Sequence, residues 1–217
     1  MLIRMPGVYR PQADTRLLAT AMHGAAIPPG SRILDVCTGT GTLALEATRI
    51  PAAAVTAVDI SRPALITAWL NARVRGRPIE LIHGDFRTAL RGRHFDAIVC
   101  NPPYVPCPGG EPPRGAARSW DAGADGRSAI DSLCLLAPEL LSSTGILLMV
   151  QSALCGVDDT LHQLRDSGLK AAVVARAEVP FGPVLNGRFG WLLERGLISP
   201  GQFREELVVV RADRPRK

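Results

Sequence analysis

From residue 12 onward, the chain alternates two spacings of apolar positions. Gln12–Ala26 carries Leu17, Leu18, Ala21 and Met22 at helical spacing and is closed by Pro28, Pro29 and Gly30, which predicts an amphipathic helix. Short apolar runs follow at Ser31–Cys37, Ala54–Asp59, Ile79–His83, Phe95–Cys100 and Ile146–Gln151. Their length and their flanking turn residues predict buried strands. Helical spacing between them predicts helices over Thr42–Ile50, Ser128–Leu141 and Val157–Ser167. A further helix starts at Ser61 as N-cap, has Pro63 in its first turn and runs to about Arg75. Leu169–Val179 and Glu206–Val210 predict two late strands on either side of a Pro/Gly-rich segment at 180–202.

Strands alternating with helices predict an α/β chain with a Rossmann-like, doubly wound sheet, mostly parallel with an antiparallel late strand. The expected organisation is one domain over 1–217, with an N-terminal helical lead-in at 1–30 and a frayed tail at 211–217. Residues 105–127 have no periodicity and are dense in Pro, Gly and Arg. A loop of that length in a compact domain is either functional or mobile, and it would lie on the substrate side.

Composition narrows the class. Of 217 residues, 47% are hydrophobic and 21% charged, enough for a core and against disorder. The net charge of +5 suits an anionic partner such as RNA, or simply a solvated basic surface. The five cysteines show no Cys-x-x-Cys spacing and the four histidines are dispersed, so no metal site is expected and a reducing compartment fits. No apolar run approaches the roughly 18 residues of a membrane span, and MLIRMPGVYR carries no processing signature. These features predict a soluble cytoplasmic protein with no membrane partner.

The unusual residues fall at the strand ends, where such sheets bind ligands. The turn Thr38-Gly39-Thr40-Gly41 lies between a strand and a helix, and Asp59 follows eighteen positions after Gly41. That pattern also satisfies a dinucleotide fingerprint, so the turn alone does not choose the ligand. Asp35, four residues before Gly39, suits a cationic amino group better than a pyrophosphate. The fourth strand runs into Asn101-Pro102-Pro103-Tyr104, which hydride transfer does not require.

LDVCTGTG, VDIS, HGDF and NPPY, in this order, resemble the class I S-adenosylmethionine-dependent methyltransferases, and more narrowly the HemK-type release-factor glutamine N5-methyltransferases. GVYRPQADTRLL is similar to the opening of the short members that lack an N-terminal helical domain, and WDAGADGR to a Gly-rich stretch that follows NPPY in the family. The resemblance implies S-adenosyl-L-methionine as cofactor. Asp35 would hold its amino group, Thr38, Gly39 and Gly41 its methionine part, Asp59 and Ile60 its ribose side, and Asp85 and Phe86 its adenine edge. Thr15, with Tyr9 and Gln12, would border the methionine end or the substrate mouth. The acid that relatives often carry before Asp14-Thr15 is Ala13 here, so that position has no assigned role. Implied partners are a release-factor substrate and a small zinc-binding activator subunit. Nucleic acid is the less favoured partner, and an exocyclic adenine amine or a small molecule is the alternative acceptor.

Asn101, Pro102 and Tyr104 are the candidate catalytic residues. An amide nitrogen is a poor nucleophile because its lone pair is delocalised. The Asn101 oxygen and the Pro102 carbonyl could bind both of its hydrogens, prolines 102 and 103 fix the turn, and Tyr104 offers a flat face. The plainer reading is a proline turn with Asn101 capping its own backbone. Cys37 and Cys100 read as core packing, and Trp120 as a substrate cover or a hydrophobic anchor. Arg114, Arg118 and Arg127 read as solvated surface or as contacts for an acidic partner.

Overall fold

The computed structural model describes residues 2–51, 53–109 and 113–215. Seven strands form one sheet: β1 (Arg32–Val36), β2 (Ala54–Asp59), β3 (Glu80–His83), β4 (Phe95–Cys100), β5 (Leu141–Ser152), β6 (Lys170–Pro180) and β7 (Arg204–Asp213). Their order is β3-β2-β1-β4-β5-β7-β6. All neighbours from β3 to β5 pair in parallel, while β7 runs antiparallel to β5 and β6. The predicted single antiparallel late strand is therefore β7. The strand order reverses between β1 and β4, and this switch point opens a crevice at their carboxyl ends.

The period-two alternation of the strands sorts side chains onto two faces. Leu34, Ile98, Leu147, Met149 and Val208 pack against Ile130, Leu133 and Ala137 of α5 (Ser128–Leu140) and Leu164 of α6 (Val157–Asp166). Ile33, Ala57, Val99, Leu148 and Val209 pack on the other side against Leu18 and Met22 of α1 (Ala13–Gly24) and Leu43 and Ala44 of α2 (Thr42–Ala47). Between β2 and β3 lies α3 (Arg62–Val74), where Ser61 Oγ accepts from Ala64 N at 3.4 Å as the expected N-cap. The four-residue helix α4 (Phe86–Ala89) follows β3 and is capped by Asp85.

Several boundaries differ from expectation. β5 begins at Leu141, directly after α5, because Phe95 offers Leu141 a partner before the register shifts. The segment 180–202 holds two short helices, α7 (Pro183–Gly187) and α8 (Phe189–Glu194), over their own cluster of Phe181, Leu185, Leu192 and Ile198. Their periodicity is too brief to read locally, and packing makes them. β7 continues through Arg211 to Asp213, paired on both sides, where a frayed tail was expected; residues 216 and 217 lie outside the described residues. The lead-in is only partly helical, since its first residues form an extended strap. Buried Asn71 of α3 holds that strap by accepting from Ile3 N and donating to Ile3 O, each at 2.8 Å. Among the described residues no helix is long and apolar enough to cross a membrane.

Candidate active site

A cavity of about 410 Å³ opens over the switch point. The strand-to-helix turn after β1 makes its floor. Gly39 and Gly41 take φ of +54° and +79°, and Cys37 adopts +59° without being glycine. A Cβ on Gly41 would lie 2.9 Å from Cβ of Ala68, so the glycine lets α3 approach the turn. Gly39 faces open space instead, with nothing nearer than the Cys37 carbonyl at 4.0 Å.

Two carboxylates organise this turn. Asp59, at the end of β2, accepts from Gly39 N and Ser61 N at 2.8 Å each, one bond per oxygen. It lines the cavity and keeps lone pairs free for hydroxyl donors. Burial pushes its carboxyl above the usual range. Asp35 lies behind the cavity wall, not on it, and is fully buried. Its Oδ2 accepts from Thr38 Oγ1 at 2.6 Å and Ala44 N at 2.9 Å, while Oδ1 has no partner. Burial raises this carboxyl to about 7, against those two hydrogen bonds.

The far wall is less polar. Ile60, 52% exposed, and Phe86 both line the cavity, an arrangement suited to a flat ring. Asp85 lines it too, but Arg87 ion-pairs with its carboxylate and lowers its pKa, so an adenine contact there shares the group with Arg87.

The decisive geometry is at the mouth. Asn101 donates through Nδ2 to Asp14 Oδ2 at 3.0 Å and to Thr15 Oγ1 at 3.2 Å. A carboxylate only accepts, so the Asn101 amide must turn its nitrogen toward Asp14. Tyr9 and Tyr104 donate their hydroxyls to the same Asp14 oxygen at 2.7 and 3.2 Å. Thr15 supplies its N–H at 2.6 Å and its hydroxyl at 3.2 Å to Oδ1. Asp14 is thus a buried hub with five donors in the first turn of α1, where the helix dipole favours negative charge. Burial first, and the Asp14 charge second, push both phenols up, so each stays a donor. No described residue donates to Asn101 Oδ1 or to the Pro102 carbonyl.

Of the expected site residues, Tyr9, Thr15, Thr38 and Gly39 line one cavity with Asp59, Ile60, Asp85 and Phe86. Asn101, Pro102, Pro103 and Tyr104 close it, whereas Asp35, Gly41 and Gln12 do not reach it. Gln12 instead donates to Tyr9 Oη at 3.2 Å. Asp14 was missed: its signal, an Asp-Thr pair opening a helix, reads as an ordinary helix start. Trp120 lines the cavity, and its carbonyl accepts from Val105 N at 2.7 Å. The 105–127 segment is tied down where described, by a parallel bridge between Val105 and Asp121 and a short 3₁₀ turn at Gly115–Ser119. Arg127 departs from the expected solvated surface. It is buried and donates to Cys155 O, to Gly156 O at 2.7 Å and to Asp131 at 2.8 Å.

The methyltransferase small domain family matches residues 2–108. A protein of Methanocaldococcus jannaschii provisionally named protein N5-glutamine methyltransferase is 30% identical over 177 residues, covering 81% of this chain and 88% of that one. The chain belongs to the HemK-like family of methyltransferases. Mouse Methyltransferase HEMK2 is 36% identical over 174 residues, 75% of this chain and 80% of its own. The release factor glutamine methyltransferase of Moorella thermoacetica is 43% identical over 105 residues, but these span only 46% of this chain and 37% of that enzyme. In fold, the chain is similar to the E. cuniculi Mtq2-Trm112 complex, with a TM-score of 0.65 at 18% identity, covering 96% of this chain and 99% of that one. This methyltransferase draws its methyl group from S-adenosylmethionine. The cavity fits that cofactor: Asp59 has lone pairs for a diol, Gly39 leaves open space, and buried Asp35 keeps an unpartnered oxygen beneath the turn.

Proposed function

We propose that the chain methylates the side-chain amide nitrogen of a glutamine in a protein, the Gly-Gly-Gln loop of a peptide-chain release factor, in the cytoplasm. The observation that carries this reading is the forced orientation of Asn101. With its nitrogen held by Asp14 and Thr15, its Oδ1 remains as an acceptor, and the Pro102 carbonyl of the same turn would be the second. Two fixed acceptors suit the two hydrogens of a planar NH₂ group, and Tyr104, which lines the cavity, would offer its ring to the amide plane. So held, the nitrogen lone pair can point at the methyl donor, and orientation of this kind is worth up to roughly 7–11 kcal/mol. Asp59 would take the ribose hydroxyls of the cofactor, the Gly39 backbone its methionine part, and Ile60 and Phe86 its adenine ring. The names of relatives that act on glutamine support the same acceptor.

A small activator subunit belongs to this proposal. β3 is a four-residue edge strand, and Trp69 and Val74 of the neighbouring α3 are 51% and 71% exposed. The related fold from E. cuniculi is described as a complex with Trm112. The test is to incubate the protein and labelled S-adenosylmethionine with a release factor, total RNA and DNA. Label on the glutamine of the factor is the expected result, and label on RNA or DNA with an unlabelled factor overturns the acceptor.

A further inference from the structure

The carboxyl edge of the sheet carries a further buried carboxylate that the steps above do not use. Glu205 stands at the start of β7 and is 8% exposed. Because β7 runs antiparallel to β5, its start lies level with the end of β5, at the carboxyl edge that carries Asn101. Ser152 pairs with Leu207, and directly paired and alternate residues share a face, so Glu205 lies on the face of Ser152. That face is the one α1 covers, since Val150 and Val209 pack there with Leu18 and Met22. The Glu205 side chain is buried, and Oε2 has no hydrogen-bond partner among the described residues.

The groups that feel its charge come from four elements: Tyr9 of the strap, Asp14 of α1, Tyr104 after β4, and Cys155 after β5. None of these is cationic, and Arg204 beside it pairs with Glu178. A buried carboxylate without a counter-ion lowers stability, so its placement here calls for a role.

We propose that Glu205 is a positioning residue for methyl transfer: together with Asp14 it gives the substrate end of the sheet two buried carboxylates, whose joint potential favours the acceptor nitrogen as it becomes cationic. The inference rests on Asn101 as the amide that holds the acceptor. During transfer the nitrogen lone pair forms the new N–C bond and the C–S electron pair returns to sulfur. The nitrogen then stays positive until its proton passes to water. Five donors already occupy Asp14, so its own charge is partly spent on holding them. Glu205 adds negative charge with an oxygen still free, in a medium where such fields are strong.

The test compares wild type, Glu205→Gln and Glu205→Asp at saturating S-adenosylmethionine, so that titration of Asp35 and Asp59 in cofactor binding does not enter. Glu205→Gln should keep cofactor affinity within about twofold by calorimetry and keep or raise Tm, while kcat falls about tenfold. Burial raises the Glu205 carboxyl, and activity needs its ionised form, so wild type loses kcat as pH falls through that raised value. The neutral amide should flatten this acid limb, and Glu205→Asp should recover part of kcat. An unchanged kcat, an unmoved acid limb, or equal losses of Tm, affinity and kcat each overturn the role. If wild type labels something other than glutamine, the acceptor reading alone fails, and the ratio of variant to wild type is read on the labelled acceptor.

Discussion

Asn101 and Asp14 stand 87 positions apart and meet through a 3.0 Å hydrogen bond from Nδ2 to Oδ2. One side chain has a donor end and an acceptor end, while the other can only accept. The bond therefore decides which end of the asparagine is presented to a substrate. Thr15 Oγ1, at 3.2 Å from the same nitrogen, closes the choice.

Asp14→Asn removes that decision, because an amide can meet Asn101 with either end. Turnover should fall about 100-fold, the scale of losing one oriented group, while cofactor affinity holds. Isothermal titration and label transfer measure the two separately. Parallel losses in both would make Asp14 a packing residue of α1.

Asn101→Ala should leave the Asp59 side of the cavity intact and remove one acceptor for the substrate nitrogen. A loss of kcat of about 1000-fold with unchanged cofactor affinity is expected. Weakened cofactor binding of the same size would show that Asn101 holds the cavity together instead.

What the sequence displays of this site is what local pattern can encode. The strand ends, the glycine turn and the acid closing β2 stand at fixed short spacings, and the switch point brings them together. Asp14 was not legible because its importance lies in Asn101, Tyr9 and Tyr104, which only the fold assembles. Asn71 reads as one more polar residue on α3, and the strap it holds has no periodicity. Arg127 sits among Gly, Pro and Arg and so reads as surface. It is buried because backbone carbonyls at Cys155 and Gly156, distant in sequence, turn toward it. α7 and α8 were hidden because helices of five and six residues are made by packing, not by propensity.

The two glycines of the turn should respond differently to alanine. At Gly41 the added Cβ would meet Ala68 at 2.9 Å in a left-handed conformation, a strain plus a clash of roughly 2–4 kcal/mol. At Gly39 the space is open, so the left-handed cost of about 1–2 kcal/mol stands alone. Urea denaturation should rank Gly41→Ala well below Gly39→Ala. Gly39→Ala should instead weaken cofactor binding, because Gly39 lines the cavity and an added methyl would take up space there. Equal stability of the two variants would remove α3 from the explanation of Gly41.

Asp35 gives the cofactor-free protein a pH dependence of known sign. Its carboxyl titrates at about 7 when folded, against an ordinary 3.8, since burial outweighs the bonds from Thr38 and Ala44. Between these values the folded chain holds a proton that the unfolded chain has released. The contribution is fully present below about pH 4 and is lost as pH rises through about 7, a change of roughly 4 kcal/mol. The Tm of wild type should therefore fall more steeply from about pH 4 to 7 than that of Asp35→Asn. Identical slopes in the two proteins would assign the dependence to another group.

Arg127 ties the loop after β4 to the start of α6. Its guanidinium serves Asp131 at 2.8 Å, Gly156 O at 2.7 Å, Thr160 Oγ1 at 3.1 Å and the Cys155 carbonyl at once. Cys155 in turn donates its thiol to the Tyr104 carbonyl at 2.9 Å, so the arginine supports the segment on which Tyr104 depends. Arg127→Ala leaves several buried acceptors unpaired and should cost about 3 kcal/mol or more. Arg127→Lys should recover little, because one ammonium cannot span the two ends of the fork. Thermal denaturation measures both variants. If lysine restores full stability, charge alone explains Arg127 and the planar geometry is incidental.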